Sequence, residues 1–299
     1  MNKVELGDFY IRNLQDSYTI MYAYLVRGLL DDFGIEGEKA AREGIRRFGR
    51  DRGLKRRQQH LSKGFKINMK NLFSVGADLP NDPRFKRDLQ ELNTQERISH
   101  TLVCPMSDVW KAIGEKEIGR MYCEEFHYAC YNAYAYGCTQ VNLARTLTQD
   151  DDYCSFSVIL RPEFLPEDIR VKCFKEYDPL YKEPEETLIV PTAKDGFNSL
   201  CIRIYYYILE TSSEQLSDDG VESIKKSLKK LAINSADRMK NAAKEVDLTL
   251  DMEFINNNYP FYTNIDKEPM WEEYNKYNAK EILDANFYHP FYKELGFLK

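Results

Sequence analysis

The sequence predicts an α+β fold: a small antiparallel sheet with one covering helix, flanked by N-terminal and C-terminal helical regions. Three observations carry this prediction. Apolar residues recur at three- and four-residue intervals before the middle of the chain, as in Tyr22, Leu25, Val26, Leu29 and Leu30, and helical patterning returns after it. Residues 139–160 alternate with a period of two around a polar turn. Prolines at 162, 166, 179, 184 and 191 then separate this middle block from the second helical region.

Residues 14–75 read as helices. The second of them starts near Glu36 and runs through Ala40, Ala41, Ile45 and Phe48. Gly49 and Gly53 weaken it, each costing about 1 kcal/mol against Ala. Pro80, Asn81, Asp82 and Pro83 break the chain. Residues 97–104 read as a strand. Pro105 suits a first helical position, where its missing N–H has no partner to lose, and a short helix through Val109, Trp110 and Ile113 stops at Gly114. Residues 115–136 form a long helix ended by Gly137, followed by strands at 139–147 and 153–160. Val141, Leu143 and Leu147 share one side of the first, and Cys154, Phe156, Val158 and Leu160 one side of the second.

Residues 162–196 form an extended, proline-rich connection. Residues 197–216 and 219–246 are helical, and the aromatic tail from 259 to 297 packs over something already folded. The expected regions are therefore 1–80, helical; 81–161, α+β; 162–196, the connection; and 197–299, helical. An offset of 183 places Tyr22-x-Tyr24 on Tyr205-x-Tyr207, Gly37 on Gly220 and Arg46-Arg47 on Lys229-Lys230, the pattern of an internal duplication.

Composition narrows the function. The 299 residues carry 42 Lys plus Arg against 48 Asp plus Glu, a net charge of −6, which argues against a chain-wide nucleic-acid surface. The basic run from Arg42 to Lys70 reads as a solvated helix face without the interleaved aromatics of a base-stacking surface. The apolar run from Tyr18 to Leu30 is broken by Arg27 and is too short for a bilayer, so no membrane association is expected. Seven cysteines without a C-x-x-C pair, and no basic start followed by an apolar stretch, point to reduced thiols in the cytoplasm. A small-molecule substrate is the expected partner, with a homo-oligomer left open.

Standard nucleotide, zinc-protease and serine-hydrolase motifs are absent, and four histidines make a three-histidine metal site unexpected. The densest reactive cluster is Gly119 to His127. On a helix, Cys123 and His127 lie on one face, continued by Cys130 and Tyr134. A thiol beside an imidazole forms a nucleophile pair, with Glu124 or Glu125 to orient His127. The same spacing supplies two zinc ligands, with Cys154 as a third. Equally, the thiols are small core residues. Cys104, placed before Pro105, is a second nucleophile candidate if its thiol points at the helix N-terminus.

Cys104-Pro105, Val109-Trp110-Lys111, Gly119-x-x-Tyr122-Cys123-Glu124 and Leu147-x-x-Asp150-x-x-x-Cys154-x-Phe156 together resemble the L-2-amino-thiazoline-4-carboxylic acid hydrolase family. Gly34-x-x-Gly37 and Arg47-Phe48-Gly49-x-x-x-Gly53 extend the resemblance to about residues 20–160. It implies hydrolytic opening of a cyclic amidine. Cys123 then attacks or binds a metal that activates water, His127 shuttles the proton, and Arg120 or Arg145 clamps a carboxylate. Asn142 and Thr146 line the pocket, with Tyr122 and Trp110 as its walls. The strand-ending Asp-x-x-Cys-x-Phe is also similar to the four-vinyl reductase domain, which implies a non-catalytic binding or sensor module instead.

Overall fold

In the computed structural model, which describes residues 3–185 and 187–298, the chain divides into two compact units. Unit 1 comprises Met1–Ile45, Asp108–Ile118 and Thr192–Lys299; unit 2 comprises Arg46–Ser107 and Gly119–Pro191. The elements in chain order are α1 (Lys3–Phe33), α2 (Ile35–Ser62), α3 (Met69–Ser74), β1 (Lys86–Leu92), β2 (Glu96–Val103), α4 (Pro105–Ala112), α5 (Lys116–Tyr134), β3 (Gln140–Arg145), β4 (Cys154–Ile159), α6 (Glu167–Cys173), α7 (Ala193–Glu245), α8 (Met252–Asn258), α9 (Ala279–Leu283) and α10 (His289–Glu294). Among the described residues no helix is long and apolar enough to cross a membrane.

The fold is α+β with helical regions on either side of the sheet in sequence. The sheet has four antiparallel strands in the order β1-β2-β4-β3, one more than the alternation of apolar residues reveals. The additional strand, β1, is an edge strand exposed along almost its whole length, so no buried face writes a period of two into it. The proline-rich connection is also not wholly extended: it holds α6 and two short 3₁₀ turns, and its Glu186 lies outside the described residues. Pro166 stands at the N-cap of α6, where a residue without an N–H loses nothing.

Unit 1 is built on the stripes of α1 and α7. Leu14, Tyr18, Met21, Tyr22, Leu25 and Leu29 are buried on α1, as are Phe197, Leu200, Cys201, Ile204, Tyr205 and Ile208 on α7. The side chain of Thr192 accepts the N–H of Asp195 and fixes the start of α7. Tyr259, Phe287 and Phe291 from the tail stack closely, with centroid separations of 4.8 to 5.5 Å.

The duplication at an offset of 183 is visible in this unit's geometry. The bend between α1 and α2 falls at Gly34 (φ +55°), and α7 bends at Ser217 (φ 56°), the repeat-related position. A Cβ on Gly37 would meet the Leu29 carbonyl oxygen and the Phe33 Cβ; one on Gly220 would meet the Ser212 carbonyl oxygen and the Leu216 Cβ, again pairs related by 183. Across the repeats, Gly28 abuts Ser227 and Gly44 abuts Thr211. Position 28 corresponds to 211 and 44 to 227, so the two contacts exchange partners, the signature of a two-fold relation.

Unit 2 packs the sheet under α5, with Tyr134, Val141, Phe156, Val158, Leu160 and Phe174 in one buried cluster. Gly49 and Gly53 do not merely weaken α2. A Cβ on Gly49 would lie 3.0 Å from the Phe126 carbonyl oxygen, and one on Gly53 2.1 Å from that of Cys130, so α2 and α5 approach backbone to backbone. The basic run on α2 is engaged within the unit: Arg46 pairs with Glu125, Arg52 and Arg56 both hold Asp78, and Arg57 donates to the Ala133 carbonyl.

Candidate active site

Directly opposed residues of antiparallel strands share a face. The register Arg97↔Val158, Ser99↔Phe156 and Thr101↔Cys154, extended by Arg87↔Thr101 on β1, therefore lines one face with apolar groups at one end and polar groups at the other. Helix α5 covers this face. His127 and Tyr131 meet the ring of Phe156 at 5.2 and 5.6 Å, and His127 stacks on Tyr131 at 5.8 Å.

Three thiols gather at the polar end. Cys104, at the end of β2, receives the backbone N–H groups of Met106 and Ser107 from the first turn of α4, and Cys123 and Cys154 lie near enough to it to interact electrostatically. Thr148 hydrogen-bonds Cys123. Thr148 also donates to Thr146 at 3.2 Å, while Leu147 N–H points to Cys154 Sγ at 3.3 Å. None of the seven cysteines forms a disulfide. Burial pushes the Cys104 thiol up to about 11 despite the two helix N–H groups and the nearby Arg87, and pushes Cys123 up further. The helix N-terminus favours the thiolate, but desolvation outweighs it.

The cations of the site are Arg87 and Arg97. Burial holds both guanidinium groups below their ordinary range. Arg97 lies over the rings of Phe73 (4.4 Å) and Phe156 (5.6 Å). Arg87 lies over Phe85 at 3.9 Å and donates to Asn81 Oδ1 at 3.3 Å. Neither has a carboxylate partner among the described residues, and nearby Asp82 is held by Arg84.

His127 carries an unpartnered, buried Nδ1, and Ser99 an unpartnered, buried Oγ. Burial, reinforced by Arg52, Arg97 and Arg87, lowers the His127 pKa to about 4, so the ring is neutral at neutral pH. Yet Cys104, Cys123, Cys154, His127 and Arg97 each keep part of their surface open. Orphaned polar atoms, arginines without a carboxylate partner and partly exposed thiols thus occur together here.

The remaining sequence candidates are distributed as follows. Thr146 is buried beside Thr148 and thus next to Cys123. Glu124 pairs with Arg120, and Glu125 with Arg46; neither hydrogen-bonds His127. Tyr122 stacks on Phe126 at 5.1 Å and is buried. Asn142 donates to Ser157 on the other face of the sheet. Arg145 lies against Tyr153. Trp110 belongs to unit 1, where its Nε1 donates to the Thr19 carbonyl. Among the described residues no three of His, Cys, Asp and Glu are grouped to hold a metal ion, so Cys123, His127 and Cys154 do not form the zinc set considered from spacing.

Arg87, Arg97, Ser99, Tyr131 and Thr148 join the site without having been singled out from the sequence. The usable signal was the alternation of Arg97, Ser99 and Thr101 along a strand facing a covering helix.

Fold and register bring three thiols, His127, Arg87 and Arg97 together at one face of the sheet. Residues 16–158 match the model of the L-2-amino-thiazoline-4-carboxylic acid hydrolase family, the family the sequence resembles. The name of that family describes a hydrolase. No curated protein and no solved structure matches the chain.

Proposed function

We propose that this chain hydrolyses a C–N bond in a small cyclic amidine that bears a carboxylate. The observation that carries the reading is the pair of arginines without carboxylate partners, Arg87 and Arg97, beside three thiols and an unpartnered His127. The substrate carboxylate sits on the guanidinium groups, which bind such groups through paired N–H donors. The amidine carbon then lies toward the thiols.

Cys104 is the nucleophile of this reading, because two backbone N–H groups and Arg87 stabilise its thiolate. A cyclic amidine is itself a base. It takes the thiol proton, and its positive charge lowers the cost of forming the thiolate. Sulfur adds to the amidine carbon, the C–N bond of the ring breaks, and the ring nitrogen leaves as an amine carrying that proton and a second one from the other amidine nitrogen, which stays on the carbon as C=NH. Water then adds to the sulfur-bound carbon and the thiol departs, regenerating the enzyme. His127 accepts a proton of that water and returns it to the departing Cys104 sulfur; the bound carboxylate offsets the arginines that add to burial in depressing its pKa. Thr148 and Cys123 position the recess.

A binding-only reading has one observation in its favour. With the site empty, burial keeps Cys104 and Cys123 protonated. The test is mass-spectrometric detection of ring-opened product from 2-amino-thiazoline-4-carboxylic acid and a panel of carboxylated cyclic amidines, with wild type, Cys104→Ala and Cys123→Ala. Product from wild type and Cys123→Ala but not from Cys104→Ala supports the mechanism. Saturable binding without product across the panel assigns the recess to a sensor.

A further inference from the structure

A second recess lies wholly within unit 1, between α1 and the second half of α7, with a volume of about 440 Å³. Its size falls in the range of sites for small molecules. Its lining includes Tyr24, Gly28, Lys230, Asn234 and Arg238, with apolar surface from Ile20, Ala23 and Ile113.

The polar groups here are not balanced. Arg27 is matched by Glu115, through contacts of 2.6 to 3.2 Å, and by Asp31. Arg238 is not matched. Its guanidinium is held below its ordinary range by burial, and its one hydrogen bond is to the neutral Ser17 hydroxyl at 3.3 Å. Asp16 acts on it electrostatically without forming an ion pair. One turn before it, Asn234 Oδ1 is buried without a hydrogen-bond partner. Lys230, a further turn away, is exposed at the rim. The three positions, four apart, fall on one face of α7. An under-coordinated guanidinium, an orphaned amide oxygen and a rim ammonium around an apolar-walled hollow are the complement of a small organic anion that also carries a hydrogen-bond donor.

We infer that unit 1 holds a second ligand site, separate from the thiol recess, in which Arg238 and Lys230 bind the carboxylate or phosphate of a small organic anion and Ile20, Ala23 and Ile113 receive its apolar body. Gly28 lets α1 and α7 approach closely at the floor, because a Cβ there would collide with Ser227 Oγ.

The probes are phenylacetate, for the carboxylate, and phenyl phosphate, for the phosphate, titrated into the full chain by calorimetry. One saturable site that persists in Arg97→Gln is expected for at least one probe, and whichever binds more tightly identifies the headgroup. Arg238→Gln is expected to weaken it by about 10- to 100-fold, the worth of a charge-assisted hydrogen bond. Lys230→Ala, a rim change that leaves the packing untouched, is expected to weaken it by about 3-fold at low salt. Absence of saturable binding by either probe overturns the inference, as does binding that Lys230→Ala and Arg238→Gln leave unchanged or that Arg97→Gln abolishes. The last outcome would place the anion in the thiol recess and leave the proposed hydrolysis standing.

Discussion

The two ends of unit 2 each bury a histidine against α5, and the two are handled differently. At the closed end His60 is fully buried, with Nδ1 2.6 Å from the Tyr134 hydroxyl and Nε2 3.0 Å from the Val75 carbonyl oxygen. Neutral imidazole satisfies both, its Nε2–H donating to the carbonyl and its Nδ1 accepting from the tyrosine. At the recess His127 has a comparably low pKa, near 4, yet its buried Nδ1 has no partner. Desolvation is common to both; completion of the hydrogen bonds is not. A lowered pKa alone marks burial, whereas a lowered pKa with an unmet hydrogen bond, beside two arginines without carboxylate partners and three thiols, marks a candidate site.

The sharpest break between the two ends is chemical. Cys104→Ala is expected to reduce turnover of a carboxylated cyclic amidine by about 10³-fold or more while leaving the melting temperature within a few degrees of wild type. Product formation at saturating substrate, with a parallel thermal melt, measures both. At the closed end the order reverses. His60→Phe strands the Tyr134 hydroxyl and the Val75 carbonyl, and is expected to cost about 2–4 kcal/mol of stability by urea unfolding. His127→Phe, which strands nothing, is expected to cost about 1 kcal/mol or less and to lower turnover about 100-fold. Equal destabilisation by both would erase the distinction.

Acid probes the same pair. Each histidine has a folded pKa near 4 and an unfolded value near 6.5. The unfolded chain therefore binds protons first as pH falls. The stability associated with each neutral ring is full above about pH 6.5, declines between about 6.5 and 4, and amounts to roughly 3 kcal/mol at most. Melting temperature followed against pH should show that decline in wild type and a shallower one in either Phe variant. A further effect concerns the closed end's packing. Gly53→Ala forces a Cβ against the Cys130 carbonyl oxygen and should destabilise by about 1–3 kcal/mol, read from the denaturant midpoint.

Much of this arrangement was legible before any coordinates. Pro105, Gly114 and Gly137 mark helix ends, and the alternation of Phe156 and Val158 marks a strand with one covered face. Cys104 beside Pro105 signalled a thiol at a helix start. That burial would outweigh the helix's pull on its proton was not legible, because desolvation depends on what α5 and β4 bring over it. Strand β1 escaped because Lys86–Leu92 lies on an edge and buries almost nothing. Arg97 escaped because a charged residue in a strand ordinarily faces water and only the position of α5 covers its face; Arg87, on the edge strand, stays exposed. The repeat at an offset of 183 was faint in sequence, since its matches are few. It is plain in unit 1, where Gly34 and Ser217 share a left-handed φ and Gly28 and Gly44 exchange contacts with Ser227 and Thr211.

The account's central claim is that the unmatched polar groups of the recess receive a small carboxylate. Calorimetric titration of 2-amino-thiazoline-4-carboxylic acid into Cys104→Ala, which binds without consuming it, tests this most directly when repeated with Arg97→Met added. The expected result is one saturable site, weakened about tenfold or more once Arg97 is gone. Undiminished affinity in the double variant, or no saturable binding in Cys104→Ala, would contradict it.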